Sequence, residues 1–419
     1  MSHEMTHEAA AIANRAIVLP SPFKRLAWSN LAAQTAEQIG LAATPIVAVL
    51  ALGADAGDTG LLQTAQTLPF LLLAIPFGVL ADRMPRRTLM AAAEALRALS
   101  LAGVLILIPL GWLSLPLLGA LGFAGACGTV AYGIAAPALV PALVPAAALA
   151  RANARIELAR TLAFAGGPAL AGALVGWTGG SVAFGFAAAL SFTAVLLLAG
   201  VEEPAAKRAA HRKPLQELIE GARFVAGHAL LRPVFTTQFI FNSAFFMMQA
   251  VYVPYAVHHF GLSASGVGVT LAAYGVGMVF GALLAPRVMH ALAFGTVIAI
   301  GPVAGFAAAL VMAATIWAPS PVLAGLSFFL LGVGPILWVI STTTLRQTVT
   351  PRELLGRVSA INSLAYGARP IGAALGALVG AGWGAEACLI VCAGGFLLQM
   401  LVILFSQVPG LKQQPALAA

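Results

Sequence analysis

Ionisable side chains interrupt several long apolar stretches of this 419-residue chain. An ionisable group inside such a stretch is costly to bury, and it marks a functional site by default when the stretch crosses a membrane. Proton binding, ion pairing and recognition of a charged substrate are the chemistry open to these groups. The groups are Glu37, Arg369 and two pairs with a spacing of three residues, Glu94/Arg97 and Glu157/Arg160.

Glu37 and Arg369 are the most deeply placed of these groups. Each lies about twelve residues beyond a basic residue at the start of its stretch, Arg25 for Glu37 and Arg357 for Arg369. That separation is ~18 Å of helix, so both side chains are expected near the middle of the membrane. Three roles for Glu37 remain open: a proton carrier in an alternating cavity, an ion-pair partner of Arg369, or a direct contact for a cationic substrate.

The two Glu/Arg pairs lie nearer the basic end of their stretches. Residues three apart are neighbours on a helix surface, so each pair can form a local ion pair. The long side chains can then extend their charged ends towards water. A role in proton relay is the alternative interpretation for both pairs.

Polar and aromatic side chains recur at helical spacing around these charges. Such a polar stripe in an apolar helix is expected to face an aqueous cavity rather than lipid. Met and Phe side chains repack around varied shapes and would suit a large amphipathic substrate, although ordinary helix packing explains them nearly as well. The predicted cavity residues are Asn30, Gln34, Gln38, Gln63, Gln66, Gln238, Asn242, Phe245, Phe246, Gln249, Tyr252, Trp338, Asn362 and Tyr366.

The composition requires that lipid surround the elements which position these residues. Hydrophobic residues make up 60% of the chain and charged residues only 9%, whereas an ordinary soluble domain is about 25% charged. A membrane helix needs about 20 apolar residues, which leaves room for about twelve spans. Gly, Pro and charged residues divide the sequence into predicted spans 1 to 12 at 27–51, 60–81, 88–110, 112–136, 157–177, 181–200, 231–257, 266–287, 292–317, 320–344, 358–382 and 384–406.

The basic residues predict the orientation of these spans. Lys and Arg occur in the terminal segments, in the loops after even-numbered spans and at the helix ends on that same side. The opposite loops contain no Lys or Arg. The positive-inside rule therefore predicts that both termini are cytoplasmic in a bacterial inner membrane. The net charge of +8 is a topology signal rather than a nucleic-acid-binding surface.

An internal repeat indicates two halves. The segment VPAAALARANARIELAR (144–160) precedes span 5, and TPRELLGRVSAINSLAY (350–366) precedes span 11. Pro145 aligns with Pro351, and Arg151 with Arg357. A duplicated six-span unit is typical of transporters that move two halves about a midplane site. The predicted fold is an all-α membrane protein with twelve transmembrane helices in two pseudo-symmetric six-helix bundles. The predicted parts of the chain are a cytoplasmic tail (1–26), the N-terminal bundle (27–200), a cytoplasmic linker with an amphipathic helix (201–230), the C-terminal bundle (231–408) and a second cytoplasmic tail (409–419).

Two motifs carry a family resemblance. The loop GVLADRMPRR (78–87) resembles the signature between the second and third helices of major facilitator superfamily transporters, with Pro85 in place of the usual Gly. The segment GGPALAG (166–172) resembles part of the fifth-helix signature of the superfamily's antiporters. Together with 345–376, it is similar to the branch of enterobactin and macrolide exporters. The matching functional positions are Gly78, Asp82, Arg83, Arg86 and Arg87 in the gating loop, and Gly167, Pro168 and Gly172 in span 5.

The resemblance implies how these motifs work. The Asp82 carboxylate is expected to accept from backbone N–H groups at the start of span 11, because the positive end of a helix dipole favours a carboxylate. Gly78 would permit close helix approach there. Simple anchoring by the positive-inside rule explains the arginines about as well. Span 4, at 112–136, lacks the arginine motif common in proton antiporters of the family.

The resemblance also implies a function. We expect a secondary active exporter of a small amphipathic organic molecule, such as a siderophore, a macrolide or another drug-like compound. It would work by proton antiport and act as a monomer. A lysophospholipid flippase and an uptake symporter are the alternatives on the same scaffold. The sequence contains no G-x-x-x-x-G-K-[ST] nucleotide-binding loop. We therefore expect no enzymatic activity, no cofactor and no nucleic-acid partner, with the proton gradient as the energy source.

Reporter fusions test the predicted topology. Fusions at residues 57, 179 and 319 should report the external side, and fusions at 85, 210 and 350 the cytoplasmic side, because the basic loops are retained inside. A cytoplasmic signal at 179 would contradict the map, since spans 5 and 6 would then be misplaced.

Overall fold

The computed structural model describes residues 19–145, 148–203, 214–351 and 353–416. Almost all of the described chain is helical. The helices of spans 1 to 6 are Ser21–Leu52, the pair Ala56–Leu72 and Ala74–Arg83, then Arg86–Leu107, Leu115–Leu143, Leu149–Thr178 and Gly180–Ala199. Those of spans 7 to 12 are Leu231–Phe260, Ala264–Ala291, Phe294–Ala314, Pro321–Val349, then Leu355–Leu364 and Ala368–Leu404, which together contain spans 11 and 12.

Two breaks explain how these helices make twelve spans. Ten helical segments in the described chain are long and apolar enough to cross a membrane, and the pair that forms span 2 makes an eleventh with a bend of 47°. The segment Leu355–Leu404 is 50 residues long, which is enough for two crossings. At Gly384 the backbone adopts φ 85°, a conformation that favours glycine because it has no Cβ. The chain turns back there, so spans 11 and 12 are separate and the predicted twelve-span fold is confirmed.

The spans pack as two bundles. In the N-terminal half, span 1 packs on spans 5 and 6, and span 3 packs on spans 4 and 6. In the C-terminal half, span 7 packs on the segment of spans 11 and 12, and span 10 packs on spans 8 and 9. The halves meet where span 2 contacts span 11 and where span 5 contacts span 8.

The halves are in close contact at one end only. We call the end that carries Arg83, Arg86 and Arg87 the basic side, and the other end the opposite side. On the opposite side, a Cβ added to Gly60 of span 2 would overlap the backbone of Ala377 in span 11. Small residues permit such close approach of membrane helices.

Spans 5 and 8 make a second contact of the same kind on the opposite side. Gly172 and Gly268 face one another so closely that a Cβ on either would overlap the other helix. Ser265 Oγ donates to the carbonyl oxygen of Gly172 at 3.3 Å. These two contacts close the space between the halves on the opposite side.

On the basic side the described parts of the two halves make no comparable contact. The end of span 2, Ala74–Arg83, packs on spans 3 and 4 of its own half. A Cβ added to Gly78 in span 2 or to Gly356 at the start of span 11 would meet no atom within 4 Å, so the close approach predicted for Gly78 is not made in this state. Close contact on the opposite side, together with its absence here, indicates a molecule that opens towards the basic side.

A helix at Pro214–Gly227 lies within the segment predicted as a linker and packs on the C-terminal half. Arg357 Nη1 at the start of span 11 lies 2.7 Å from Glu220 Oε2. Val225 contacts Val358 and Ile361 in a small apolar cluster. The predicted basic cluster of the linker, Lys207 to Lys213, lies outside the described residues.

His228 joins this helix to span 7. Its Nδ1 accepts from the backbone N–H groups of Leu230 and Leu231 at 3.2 and 3.4 Å. Partial burial lowers the pKa of His228 below its ordinary value. The ring is therefore neutral at pH 7 and keeps the lone pair that caps the start of the span.

Cysteine cross-linking tests which side is closed. A Cβ added to Gly380 would lie 3.0 Å from the Cβ of Ala56, so the Ala56→Cys, Gly380→Cys pair needs only a small shift to form a disulfide. We expect this pair to cross-link under mild oxidation in a chain whose own cysteines, Cys127, Cys388 and Cys392, are replaced by Ser. Gel mobility with and without reductant measures it.

The matched control is Gly78→Cys with Gly356→Cys on the basic side of the same two spans. This pair should remain unlinked, because neither position contacts another atom in the state described. Cross-linking of the control pair alone would show that the closed side has been misassigned.

Candidate substrate cavity

A cavity of about 390 Å³ lies between the two bundles and is lined by residues from both. Span 1 lines it with Glu37, and span 11 lines it with Arg369. Its lining contains most of the polar and aromatic residues that were predicted from the sequence to face a cavity. The predicted residues that line it are Gln38, Gln63, Gln238, Asn242, Phe245, Phe246, Gln249, Trp338, Asn362 and Tyr366.

The remaining predicted cavity residues lie elsewhere. Gln66 lines an adjoining cavity of about 90 Å³ that shares Glu37 and Arg369 with the main one. Asn30 is buried, and its Nδ2 donates weakly to the Ile156 carbonyl of span 5 at 3.5 Å. Tyr252 is fully buried, and its hydroxyl donates to Thr270 Oγ1 at 2.5 Å.

These differences have one physical reason. Helical spacing groups polar residues on one face of a span, but it does not distinguish a cavity from a neighbouring helix. Asn30 and Tyr252 satisfy their polar atoms at helix contacts within their own half. Gln34, on the same stripe as Asn30, also lies outside the cavity lining. The predictions for these three residues are corrected accordingly.

Glu37 is paired with Arg97, which lies in its own half. Glu37 Oε2 is 3.7 Å from Arg97 Nη2, and the Glu37 side chain keeps 16% of its surface exposed. Arg97 Nη1 also lies 2.6 Å from Glu94 Oε1 and donates to the Ala33 carbonyl at 3.2 Å. Arg97 Nη2 donates to Thr129 Oγ1 at 2.8 Å. One guanidinium thus connects spans 1, 3 and 4 and faces two carboxylates.

This cluster corrects two expectations. The ion pair predicted between Glu37 and Arg369 is not formed in this state, because Arg97 reaches Glu37 from the adjacent span. The Glu94/Arg97 pair forms as predicted by its spacing, but its charged ends do not extend to water. The two side chains are 0% and 5% exposed, because both lie on the face of span 3 that packs within the bundle.

Arg369 lies among aromatic rings. Its guanidinium carbon is 4.8 Å from the ring centre of Phe70, 5.1 Å from that of Phe246 and 4.5 Å from that of Tyr366. Cation–π contacts of this kind stabilise a charge that has been removed from water. Arg369 Nε is buried without a hydrogen-bond partner among the described residues. Arg369 is therefore held by aromatic rings rather than by a carboxylate in the described part of the chain.

Glu157 and Arg160 form a bidentate pair on span 5. Arg160 Nη2 and Nε lie 2.5 and 3.0 Å from the two carboxylate oxygens of Glu157. The side chains are 53% and 35% exposed, so this pair is the local ion pair that the spacing predicts. Arg160 also lines the cavity and lies over the ring of Phe164 at 5.6 Å.

The span 5 motif packs against both halves. A Cβ on Gly167 would overlap Gln38 of span 1, and one on Gly172 would overlap Gly268 of span 8. Pro168, between them, lines the cavity. The motif therefore allows span 5 to pack closely on its own bundle and on the other one.

The gating loop is held within the N-terminal half. The Glu203 carboxylate accepts from the backbone N–H groups of Arg86 and Arg87 at 3.1 and 2.8 Å, which places a negative charge at the start of span 3. Arg87 Nη1 also donates to the Val201 carbonyl at 3.1 Å. Sequence analysis missed Glu203. The side chain of Asp82 lies outside the described part of the structure, so its predicted contact with span 11 stays a prediction.

Several cavity residues were not predicted from the sequence. Arg346 is one of the basic residues that predict the orientation of the spans, and it also lines the cavity from the end of span 10. Tyr274 and Gln399 are polar residues within otherwise apolar stretches of spans 8 and 12, which is the signal that could have identified them. Gln399 is buried, and its Nε2 donates to the Pro302 carbonyl at 2.9 Å.

Comparison with known proteins identifies the family. The family model described as Major Facilitator Superfamily matches residues 26–369. The chain belongs to this superfamily. It is 28% identical over 339 residues to the enterobactin exporter EntS of Escherichia coli O1:K1, covering 78% of this chain and 76% of that protein. The EntS of Citrobacter koseri is 28% identical over 351 residues, with 81% of each chain covered.

A solved structure shares the fold. A bacterial homologue of the iron transporter ferroportin, in an inward-facing state, superposes with a TM-score of 0.70 at 17% identity, covering 91% of this chain and 98% of that one. The protein is therefore a transporter of small molecules rather than an enzyme, and a multi-pass inner-membrane protein. The resemblance to the exporter branch that the motifs predicted is confirmed.

Removal of Arg97 tests the shared ion pair. Arg97→Gln leaves one fully buried carboxylate, Glu94, and one at the cavity edge, Glu37, without their cation, and loss of one partner from a buried pair costs about 3–5 kcal/mol. We expect a marked fall in the thermal stability of the purified protein at pH 7. The fall should shrink at lower pH, because protonation removes the unpaired charge. Arg160→Gln is the matched control and should cost about 0–1 kcal/mol, since its partner is exposed. Equal stability of the two variants would contradict the cluster's structural role.

Proposed function

We propose that this protein is a secondary active exporter that moves a small amphipathic organic molecule out of the cytoplasm in exchange for protons. The observation that carries the proposal is the cavity between the halves, open on the basic side and containing a partly exposed carboxylate, Glu37. We assign the basic side to the cytoplasm from the positive-inside rule. On this assignment the protein is ready to take up substrate from inside the cell.

The cavity lining supports an amphipathic substrate. Phe241, Phe245 and Tyr274 present aromatic surface, while Gln238 and Asn242 on span 7 present amide groups. Aromatic and amide groups together suit a ligand with ring systems and several polar substituents. The relatives described as enterobactin exporters support a siderophore, and the motif resemblance also supports a macrolide or another drug-like compound.

Alternating access follows from how the halves meet. Closure of the basic side and separation of Gly60 from Ala377 and of Gly172 from Gly268 would expose the same cavity to the opposite side. These small-residue contacts lack interlocking long side chains, so the two halves can part without rearranging their cores. One protomer contains the complete cavity, which supports a functional monomer.

Glu37 is the proposed proton carrier. It lies at the boundary between the cavity and the charged cluster, so cavity water can reach it. Burial disfavours the ionised carboxylate, and attraction to Arg97 favours it. A change in the exposure of Glu37 to cavity water as the halves move would shift this balance, so that the proton is released on the basic side and taken up again when the cavity faces the opposite side.

Reconstituted vesicles test this role. Glu37→Gln keeps the hydrogen-bonding shape but cannot titrate. It also leaves Glu94 with Arg97, so no buried cation is left unpaired. We expect a stable protein that still exchanges substrate across the membrane but no longer accumulates it against a gradient when a pH gradient is imposed. Radiolabelled enterobactin and erythromycin are the probes.

Glu386→Gln is the matched control, because it removes a carboxylate on the opposite side whose ion-pair partner in the described chain is His259, at 3.7 Å. That variant should retain gradient-driven transport. Full gradient-driven transport by Glu37→Gln would contradict the carrier role. Transport by the wild-type protein of neither probe would contradict the proposed substrates.

A further inference from the structure

Two carboxylates share one arginine in the N-terminal half. Arg97 lies 2.6 Å from Glu94 Oε1 and 3.7 Å from Glu37 Oε2. With both carboxylates ionised the cluster carries one net negative charge, whereas a single bound proton makes it neutral. An unbalanced charge away from water is costly. In the described chain no arginine other than Arg97 lies within ion-pair distance of either carboxylate, so the charge balance of this cluster favours one proton shared between the two.

The surroundings of Glu94 can accommodate either protonation state. Its side chain is fully buried, and its Oε2 has no hydrogen-bond partner among the described residues. The hydroxyl of Ser191 on span 6 lies near it and is also buried without a partner in the described chain. A hydroxyl can donate to a carboxylate or accept from a carboxylic acid. Rotation of this hydroxyl would satisfy Glu94 with or without a proton.

The charged and titratable groups around the pair are few. Glu94 faces Arg97 on its own span, Glu37 from span 1 and Tyr132 from span 4. Glu37 is also influenced by Arg160 and Arg369 across the cavity. Arg97 lies closer to Glu94, but Glu94 is 0% exposed, whereas Glu37 keeps 16% of its side-chain surface exposed, so burial opposes the ionised form more strongly at Glu94. The shared proton is therefore better placed on Glu94.

We propose that Glu94 and Glu37 form one proton-binding unit around Arg97, in which Glu94 holds the proton and Glu37 exchanges it with the cavity. Two carboxyl groups that interact this closely titrate as a pair rather than singly. The assignment rests on the proposed proton antiport and adds the buried second carboxylate to it. It also gives Arg97 a positioning role, because its guanidinium holds the two carboxylates in one cluster.

The chain contains its own matched control. Glu157 and Arg160 have the same spacing of three residues, on span 5 of the same half. That pair has one carboxylate for one arginine and is partly exposed, so it is neutral without a proton. A proton signal that depends on Glu94 but not on Glu157 would therefore arise from the shared cluster rather than from the Glu/Arg spacing.

Infrared spectroscopy of the purified full-length protein tests the proposal without a substrate. At pH 7 the wild-type protein should show the carbonyl stretch of one protonated carboxyl group. Glu94→Gln and Glu37→Gln should each lose this signal, because the remaining carboxylate then balances Arg97 alone. Glu157→Gln should retain it. Thermal unfolding of each variant confirms that folded protein is compared.

The outcomes separate this inference from the proposed function. Absence of the signal from the wild-type protein, or its survival in folded Glu94→Gln, would overturn the shared proton. A wild-type signal that Glu94→Gln loses supports it, even if vesicle assays reveal no proton antiport. If Glu94→Gln does not fold, the wild-type spectrum and the Glu37→Gln spectrum decide the question on their own.

Discussion

Charge balance in a medium without water is the constraint on which this structure depends. Arg97 is 5% exposed and lies between two carboxylates, one fully buried and one at the edge of the cavity. The same guanidinium reaches the Ala33 carbonyl and Thr129, so it also joins three spans. Any change in the protonation of Glu37 alters the balance of this cluster. The proposed proton-binding site is thus part of what holds the N-terminal bundle together.

A second constraint is how closely two helices can approach. Glycines bring span 2 to span 11, and span 5 to span 8, on the side opposite the basic loops. The basic side has no comparable contact at Gly78 or Gly356. The cavity therefore opens in one direction, and the long polar and aromatic side chains that line it are not needed for closure. The glycines that close the opposite side are not among the residues that line the cavity.

Much of this architecture could be predicted from the sequence, because it depends on local and compositional signals. The twelve spans follow from apolar length, and the two halves follow from the repeat of Pro145 and Arg151 at Pro351 and Arg357. The depth of Glu37 follows from its distance along one helix. Each of these inferences needs only the properties of a single span or of the chain as a whole.

Contacts between spans could not be predicted in the same way. Two arginines, Arg97 and Arg369, lie on the sides of the cavity that Glu37 faces. The position of Glu37 along span 1 does not indicate which of them it pairs with. Glu94 repeats the spacing of Glu157, yet one is buried and the other exposed, because the packing face of each helix is set by its neighbours. Glu203 gave no signal in sequence, since its role depends on the fold placing it at the start of span 3.

The central claim is that substrate and proton move in opposite directions through one cavity. The most direct test uses wild-type protein in vesicles that contain a pH indicator, with an enterobactin gradient imposed and no pH gradient at the start. The account predicts that enterobactin leaving its compartment drives protons into that compartment, and that the proton movement stops when the substrate gradient is gone. Substrate movement with no proton movement, or with protons moving in the same direction, would contradict the account.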